Sequence, residues 1–256
     1  EEWIARRLNT PHALRIHAPE RRRHYLYLAS EFVDGQTLSQ WLIDNPRPDL
    51  NTVRDLVEQI ARGLNAFHRQ EMVHQDLRPD NIMIDRTGTV KVIDFGSTRV
   101  AGVLEARPVS EDEALLGALQ YAAPEYRLGE AGSERSDQFS LGVIAYQMLT
   151  GELPYGPDVA MLRSRADLAR LRYRPAASHG VPHWIDSAIE KAVHPDPAQR
   201  YEALSEFTYD LRHPNPDFAG KTPRPRVRSP LMAWQLLSLA LGTACVALTM
   251  LLLRGG

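Results

Sequence analysis

Apolar positions three and four residues apart divide much of the chain into predicted helices. These cover residues 1–8, 37–44, 50–70, 138–150, 182–193 and 201–212. The clearest stripe predicts the core-facing side of the helix over 50–70 and consists of Leu56, Val57, Ile60, Leu64 and Phe67. Strand signals are fewer and fall at 13–17, at 25–29 and in two apolar runs near residue 85. The pattern favours an α+β fold in which helices predominate.

The two apolar runs predict a β-hairpin. Ile82–Ile84 and Val90–Ile93 are β-favouring and flank Arg86-Thr87-Gly88, a three-residue turn that ends in glycine. If Asp85 opposes Thr89, the numbers of paired residues sum to about 174 along the ladder.

This register has a chemical consequence at the open end of the hairpin. It places Asp94 opposite Asp80 and diagonal to Asn81. Two oxygen-bearing side chains that are distant in sequence are therefore expected to meet in space.

A long uncharged stretch predicts a transmembrane helix near the end of the chain. Residues 231–253 contain no Asp, Glu, Lys, Arg or His, and a helix of that length would run ~35 Å, enough to cross a bilayer core. A buried core helix is the alternative, which the length disfavours. Four basic residues within 221–228 precede the span and only Arg254 follows it, so the preceding domain is expected on the cytoplasmic side of the inner membrane.

Composition sets broad limits on the class of protein. The chain has 256 residues, of which 43% are hydrophobic and 24% charged, as in an ordinary folded protein. A net charge of -2 argues against a nucleic-acid partner. The single cysteine, Cys245, has no partner for an internal disulfide. Because the sequence begins at Glu1 rather than methionine, we expect it to be a piece of a longer chain.

The candidate chemistry lies around the hairpin. Asp76, Asn81 and Asp94 suit phosphoryl transfer, which needs magnesium on phosphate oxygens and a base at the incoming hydroxyl. Each of the three read alone could instead be a turn-forming residue, since Asp and Asn favour loops.

A longer set of motifs resembles the eukaryotic-like (Hanks-type) Ser/Thr protein kinases. It occurs in the family's order and comprises His74 to Asn81 (HQDLRPDN), Asp94 to Gly96 (DFG), Ala123 to Glu125 (APE), Asp137 to Gly142 (DQFSLG) and His194 to Arg200 (HPDPAQR). The resemblance covers about residues 1–212 and implies the protein kinase fold, mainly its helical lower lobe.

The resemblance also implies a domain organisation and a pair of cofactors. Residues 1–30 would be a remnant of the upper lobe, 31–213 the lower lobe, 214–230 a Pro/Arg-rich juxtamembrane linker and 231–253 the membrane helix. ATP and magnesium, with manganese as an alternative metal, would be the cofactors, and proteins the substrates.

Roles follow residue by residue from the same resemblance. Asp76 would accept the proton of the substrate hydroxyl, and Arg78 would contact the transferred phosphate. Asn81 and Asp94 would hold magnesium.

The ATP site would draw on four positions. Glu31 and Val33 match the hinge whose backbone groups bond adenine, with Met83 beneath the ring. Glu1 falls where the family's helix-C glutamate belongs.

Four residues would support the site. His74 would pack beneath the loop, and Asp137 would brace the loop's backbone. Glu125 and Arg200 would form a buried ion pair that ties the activation segment to the lower lobe.

A narrower resemblance is to bacterial proteins that join a metal-dependent protein phosphatase domain to a Ser/Thr kinase domain with a C-terminal membrane anchor. It implies that the phosphatase and the upper lobe lie upstream of Glu1. The family's Gly-rich loop and strand lysine are absent from this sequence, so the fragment alone is expected to be inactive.

Departures from the family pattern leave an alternative open. Gln75 replaces the family's usual arginine, and Ala118 replaces a usual threonine. A pseudokinase that acts as a membrane-tethered scaffold is therefore the alternative to an active enzyme. A small-molecule kinase ranks last, because such enzymes lack the elements around Glu125, Asp137 and Arg200.

Overall fold

The helices and strands below come from a computed structural model that describes Trp3 and residues 7–17, 27–100 and 119–219. These residues belong to the first of two compact units, Glu1–Gly220 and Lys221–Gly256. The strands are β1 (Ile16–His17), β2 (Ala29–Ser30), β3 (Gly35–Thr37), β4 (Met72–Val73), β5 (Ile82–Asp85), β6 (Val90–Val92) and β7 (Arg99–Val100). The helices are α1 (Leu38–Asp44), α2 (Leu50–His68), α3 (Pro124–Arg127), α4 (Glu134–Thr150), α5 (Arg165–Leu168), α6 (His183–Ala192), α7 (Leu204–Arg212) and α8 (Pro216–Ala219).

The predicted hairpin and its register are confirmed. β5 and β6 pair antiparallel as Ile82 with Val92, Met83 with Lys91 and Ile84 with Val90. The amide of Asp85 donates to the carbonyl of Thr89 at 3.0 Å, which extends the ladder to the turn.

β3 adds a third strand to this hairpin, a pairing that the sequence pattern did not predict. It pairs antiparallel with β5, so that Gly35 opposes Asp85 and Thr37 opposes Met83. A Cβ at Gly35 would lie 2.1 Å from the carbonyl oxygen of Ile84, so only glycine permits this approach. The remaining described strands form two-stranded ribbons, β1 with β2 and β4 with β7.

Residues 12–14 join the hairpin from its other side. The amide of Val92 donates to the carbonyl of His12, and the amide of Leu14 donates to the carbonyl of Val92, both at 2.9 Å. The same segment crosses α2 at Gly63, where a Cβ would lie 2.7 Å from the His12 carbonyl oxygen. The segment before β1 is therefore fixed to the larger helical part.

α2 is the amphipathic helix that the apolar stripe predicted. Its N-cap is Asp49, whose carboxylate accepts from the amides of Asn51 at 2.9 Å and Thr52 at 3.1 Å. All five residues of the stripe are buried. The helix packs against α4, α7 and β6 and so joins the core to the sheet.

α4 is buried on nearly all sides at the centre of the helical part. It begins at Glu134, four residues before the predicted start at Gln138. The hydroxyl of Ser136 accepts from the amide of the N-cap residue Ser133 at 2.9 Å, and Gly151 ends the helix with a φ of 76°. Asp137 therefore lies in the first turn of α4 rather than before the helix.

The predicted membrane segment is not among the described residues. Residues 231–253 lie outside those ranges, as do 220–230 of the predicted linker, Glu1 and most of the helix predicted over 1–8. The first part of the predicted linker, 214–219, is described and contains α8, in which Phe218 is buried, so the helical part extends beyond its predicted end at residue 213. Each helix that is described is too short or too polar to span a bilayer.

Candidate active site

The loop between β4 and β5 brings Asp76 and Asn81 into contact. Pro79–Asn81 form a short 3₁₀ turn that points the chain into β5. The side-chain nitrogen of Asn81 donates to the backbone carbonyl of Asp76 at 2.8 Å and to its carboxylate at 3.0 Å. With its nitrogen on Asp76, the amide leaves its oxygen as the atom with lone pairs for a metal ion.

Burial raises the pKa of the Asp76 carboxyl above its ordinary value. The charges of Arg78 and His74 and the hydrogen bond from Asn81 act in the opposite direction, and the charge of Asp94 adds to the rise. A carboxylate with a raised pKa is a stronger base, which suits proton abstraction from a hydroxyl group.

Asp94 lies just beyond the open end of the hairpin. The amide of Ile93 donates to the carbonyl of Asn81 at 2.9 Å, so Asp94 follows the last bonded pair of the ladder. Asp94 is exposed, has a φ of 62°, and accepts from the amide of Gly96 at 3.0 Å. Gln75, beside Asp76, also has a positive φ, of 70°. Such backbone strain in non-glycine residues concentrates at functional sites.

This donor set fits a magnesium ion shared with a phosphate. Magnesium prefers oxygen ligands and is usually held by one or two carboxylates together with the phosphates of a nucleotide. Asp94 offers the carboxylate and Asn81 the amide oxygen. Within the described ranges, no three His, Cys, Asp or Glu side chains form a group that could hold a metal by themselves.

Asp137 braces the backbone of the loop. Its carboxylate accepts from the amides of His74 at 2.9 Å and Gln75 at 3.0 Å. It also contacts the Nε2 atom of His68 at 2.9 Å. The family resemblance implied that Asp137 braces this backbone. It did not indicate the contact with His68, because nothing local to residue 68 points to a partner on α4.

His74 packs beneath the loop, as the sequence predicted. Its ring is fully buried and meets Phe67 edge-on, with the ring centroids 5.5 Å apart. Phe95 lies on the other side of this contact, 5.4 Å from Phe67. Neither ring nitrogen of His74 has a hydrogen-bond partner within the described part of the chain, so its side chain acts here by packing.

Arg78, the second catalytic candidate, lies two residues after Asp76 in the same loop. Its side chain is 29% exposed and its Nη2 lies 3.7 Å from the carboxylate of Asp80. The positive charge of the guanidinium group lowers the pKa of Asp76, so Arg78 is close enough to influence the proposed base. Its contact with a phosphate stays a prediction.

The hinge candidates lie where β2 leads into β3. The amide of Glu31 donates to the carbonyl of Arg15 at 2.9 Å, which fixes the backbone of the hinge next to β1. Val33 is buried, and Met83 is half-buried on β5. Glu1, the fourth candidate for the ATP site, lies outside the described residues.

Lys91 holds the hinge from β6, a contact that the sequence did not reveal. Its Nζ donates to the Glu31 carboxylate at 2.9 Å, and this ion pair is mostly buried. The pKa of Glu31 is below its ordinary value: burial, the largest effect, raises it, and Lys91 with the amide of Arg15 more than offsets that rise. A lysine in a strand of alternating apolar and polar residues is normally expected to face solvent. The sequence pattern therefore did not indicate the contact of Lys91 with Glu31.

The predicted ion pair between Glu125 and Arg200 is present. Both carboxylate oxygens of Glu125 accept from the guanidinium group at 2.8 Å, and both side chains are buried. The hydroxyl of Ser136 donates to the same carboxylate at 2.7 Å. The pair links α3 to the turn before α7.

A groove of about 300 Å³ adjoins the catalytic loop and was also missed. It is lined by Ser39, Leu42, Ile43, Pro46, Pro79, Tyr121, Gln147 and Gly151. The hydroxyl of Tyr121 donates to Gln147 at 2.8 Å; burial raises its pKa, and the charges of Asp80 and Arg78 reach it. One signal in the sequence could have indicated the groove: Tyr121, which lines it, lies two residues before the motif Ala123 to Glu125.

Comparison with known proteins agrees with this geometry. Residues 1–210 match the family described as "Protein kinase domain". The chain is 29% identical to the serine/threonine-protein kinase PrkC of Bacillus subtilis over 83% of this chain and 32% of that protein. It is 33% identical to PknB of Mycobacterium leprae, over 72% of this chain and 30% of that protein, and 34% identical to PknA of Mycobacterium tuberculosis, over 71% and 41%. The chain thus spans about a third of the length of these relatives.

Proposed function

The chain belongs to the protein kinase family as a Ser/Thr protein kinase domain, and on that premise we propose that it transfers the γ-phosphate of ATP to serine or threonine hydroxyls of proteins. One observation carries the proposal. Asn81 holds the carboxylate of Asp76, and the charge of Asp94 acts on that same carboxylate. These contacts support a single site for the proposed base and the two proposed oxygen ligands of a metal.

Asp76 is the proposed proton acceptor. As the substrate oxygen bonds to the γ-phosphorus, its proton passes to the Asp76 carboxylate and ADP leaves with the bridging oxygen. The raised pKa of Asp76 makes this transfer more favourable. Arg78 offers a fixed positive charge to the transferred phosphate.

Asn81 and Asp94 are the proposed ligands of magnesium, or of manganese in its place. When bound there, the metal ion would neutralise charge on the phosphate oxygens. Backbone groups of Glu31 and Val33 would bond adenine, with Met83 beneath the ring. The groove beside Pro79 and Tyr121 would take the substrate segment that presents the hydroxyl group to Asp76.

A labelled-phosphate assay with the full-length protein tests the enzymatic function. We expect γ-labelled ATP and magnesium to give label on serine or threonine of an added protein, and removal of magnesium with a chelator to abolish it. Nucleotide binding without transfer would contradict the proposal and favour the alternative, a pseudokinase scaffold. This alternative is motivated by Gln75, which stands where the family usually has an arginine.

We also propose that residues 231–253 anchor the domain to the inner membrane, with residues 1–230 in the cytoplasm. The uncharged stretch and the basic residues before it support this arrangement. We expect the protein to stay with membranes in alkaline carbonate and to leave them only in detergent. Release by carbonate would contradict the anchor.

The narrower resemblance supports a metal-dependent phosphatase domain in the same full-length protein. A full-length protein without phosphatase activity would contradict this proposal.

A further inference from the structure

The segment after α4 carries an unusual concentration of arginine. Residues 161–174 contain five arginines and one acid, Asp167, whereas the whole chain has a net charge of -2. All five arginines are exposed. We use "arginine surface" for Met161, Arg163, Arg165, Arg170 and Arg172.

Three of the five arginines lie in exposed ion pairs, Arg165 with Glu130, Arg170 with Asp167 and Arg174 with Glu152. Among the described residues, neither Arg163 nor Arg172 has a carboxylate within ion-pair distance. Arg165 pairs with Glu130 at 2.7 Å, but its side chain is 82% exposed, and such pairs contribute only about 0–1 kcal/mol. The charge is therefore available to a partner.

Asp167 offsets the charge of one member of the arginine surface, Arg170. Its carboxylate accepts from the hydroxyl of Ser164 at 2.8 Å and from the amide of Arg163 at 3.2 Å, and it lies 3.9 Å from Arg170. These contacts, with the hydroxyl of Ser164 first, hold the pKa of Asp167 below its ordinary value. The acid thus serves to fix the backbone before α5.

A small open cavity beside this segment has a mixed lining, with three apolar side chains and three charged ones. It measures about 180 Å³ and is lined by Asp158, Met161, Leu162, Asp167, Arg170 and Leu171. Met161 is 66% exposed, one of few large apolar side chains so exposed among the described residues. Arg163 and Arg172 directly follow the lining residues Leu162 and Leu171. The cavity is smaller than the roughly 300–1,000 Å³ of small-molecule sites, which favours a single side chain as its occupant.

We propose that the arginine surface docks an acidic protein segment that carries an apolar side chain. The apolar side chain enters the cavity beside Met161, and flanking carboxylates pair with Arg163, Arg170 and Arg172. Arginine and methionine are both enriched at protein interfaces, where arginine often supplies much of the binding energy. Two carboxylates of the cavity, Asp158 and Asp167, would repel such a segment, and the five arginines of residues 161–174 outnumber them.

The aromatic content of the segment argues against single-stranded nucleic acid as the partner. Such ligands need exposed rings on which bases stack. Tyr173, the segment's aromatic residue, is instead packed edge-on against Tyr146 and Tyr155, and its hydroxyl donates to Asp186 at 2.7 Å.

The test measures peptide binding by the full 256-residue chain in a neutral detergent. The probe is a fluorescein-labelled 12-residue peptide with one leucine flanked by glutamates, followed by fluorescence anisotropy at low and high salt. We expect binding that weakens with salt, and at least about 10-fold weaker binding by Arg163→Glu/Arg172→Glu, since charge reversal replaces two attractions with repulsions. Met161→Ala should weaken binding about 3- to 10-fold through lost apolar contact.

Matched controls separate charge from folding. Arg163→Lys/Arg172→Lys keeps the charge and should retain most of the affinity, and Arg69→Glu reverses an exposed charge at the end of α2 and should change it less than about twofold. The proposal is overturned if the wild-type chain fails to bind the peptide, if a glutamine version binds equally well, or if the double Glu variant binds within twofold of wild type. Tighter binding of a 12-residue oligo(dT) or of phosphatidylglycerol vesicles, lost in the same variant, would assign the surface to another class of partner.

Discussion

Replacing Asp76 with asparagine is expected to lower the rate of phosphate transfer by about 10²- to 10⁴-fold at saturating ATP. Asparagine has the same shape and keeps an oxygen that can accept from Asn81, so the loop retains its geometry. It cannot accept the substrate proton. The expected loss therefore falls on kcat, with the affinity for ATP changed little.

The same substitution should not destabilise the fold. Because burial raises the pKa of Asp76 in the folded chain above its unfolded value, the charged form opposes folding, and stability falls as the pH rises through this interval. A neutral asparagine removes that opposition at neutral pH. We therefore expect an unchanged or higher thermal midpoint, which would show that the lost activity is not lost structure.

Single-turnover transfer of labelled phosphate by the full-length protein, combined with a thermal melt, measures both effects. Asp55→Asn is the matched control, since Asp55 lies on the exposed face of α2 and pairs there with Arg212. It should leave the rate of transfer unchanged. A residual rate above about a tenth of wild type for Asp76→Asn would exclude this carboxylate as the base.

Local patterns predicted those parts of the site that depend on neighbouring residues. The hairpin register followed from one turn and two apolar runs, and it brought Asp94 next to the strand that follows Asn81. The five residues of the stripe on α2 are all buried, and Val53, Ala61 and His68 on the same helix are buried as well. In both cases the period of the backbone decides which residues share a face.

Contacts between distant elements were harder to foresee. The pairing of β3 with β5 depends on Gly35 meeting the backbone of Ile84, which no property of a three-residue strand indicates. The contact of Lys91 with Glu31 is of the same kind. A single lysine on a strand looks the same in the sequence whether its side chain is solvated or paired. Such contacts depend on the tertiary arrangement, which overrides local preference.

The buried ion pair gives the largest expected effect on stability. Arg200→Ala should lower the free energy of unfolding by about 3–5 kcal/mol, because it leaves the Glu125 carboxylate buried without its cation. The guanidinium group also donates to the carbonyls of Arg135 at 2.8 Å and His194 at 2.7 Å, and it lies 4.9 Å from the centre of the Phe139 ring. Arg200→Lys keeps the charge but loses the two-pronged contact, so we expect an intermediate loss.

Urea denaturation of the variants measures this effect. Arg86→Ala is the matched control, since its ion pair with Asp34 is exposed on both sides and should contribute no more than about 1 kcal/mol. The double variant Glu125→Leu/Arg200→Met should lose less than the two single losses added together, because neither charge is then left buried alone. A loss below about 1 kcal/mol for Arg200→Ala would mean that water reaches the Glu125 carboxylate, and that α3 is held in place by apolar packing rather than by this pair.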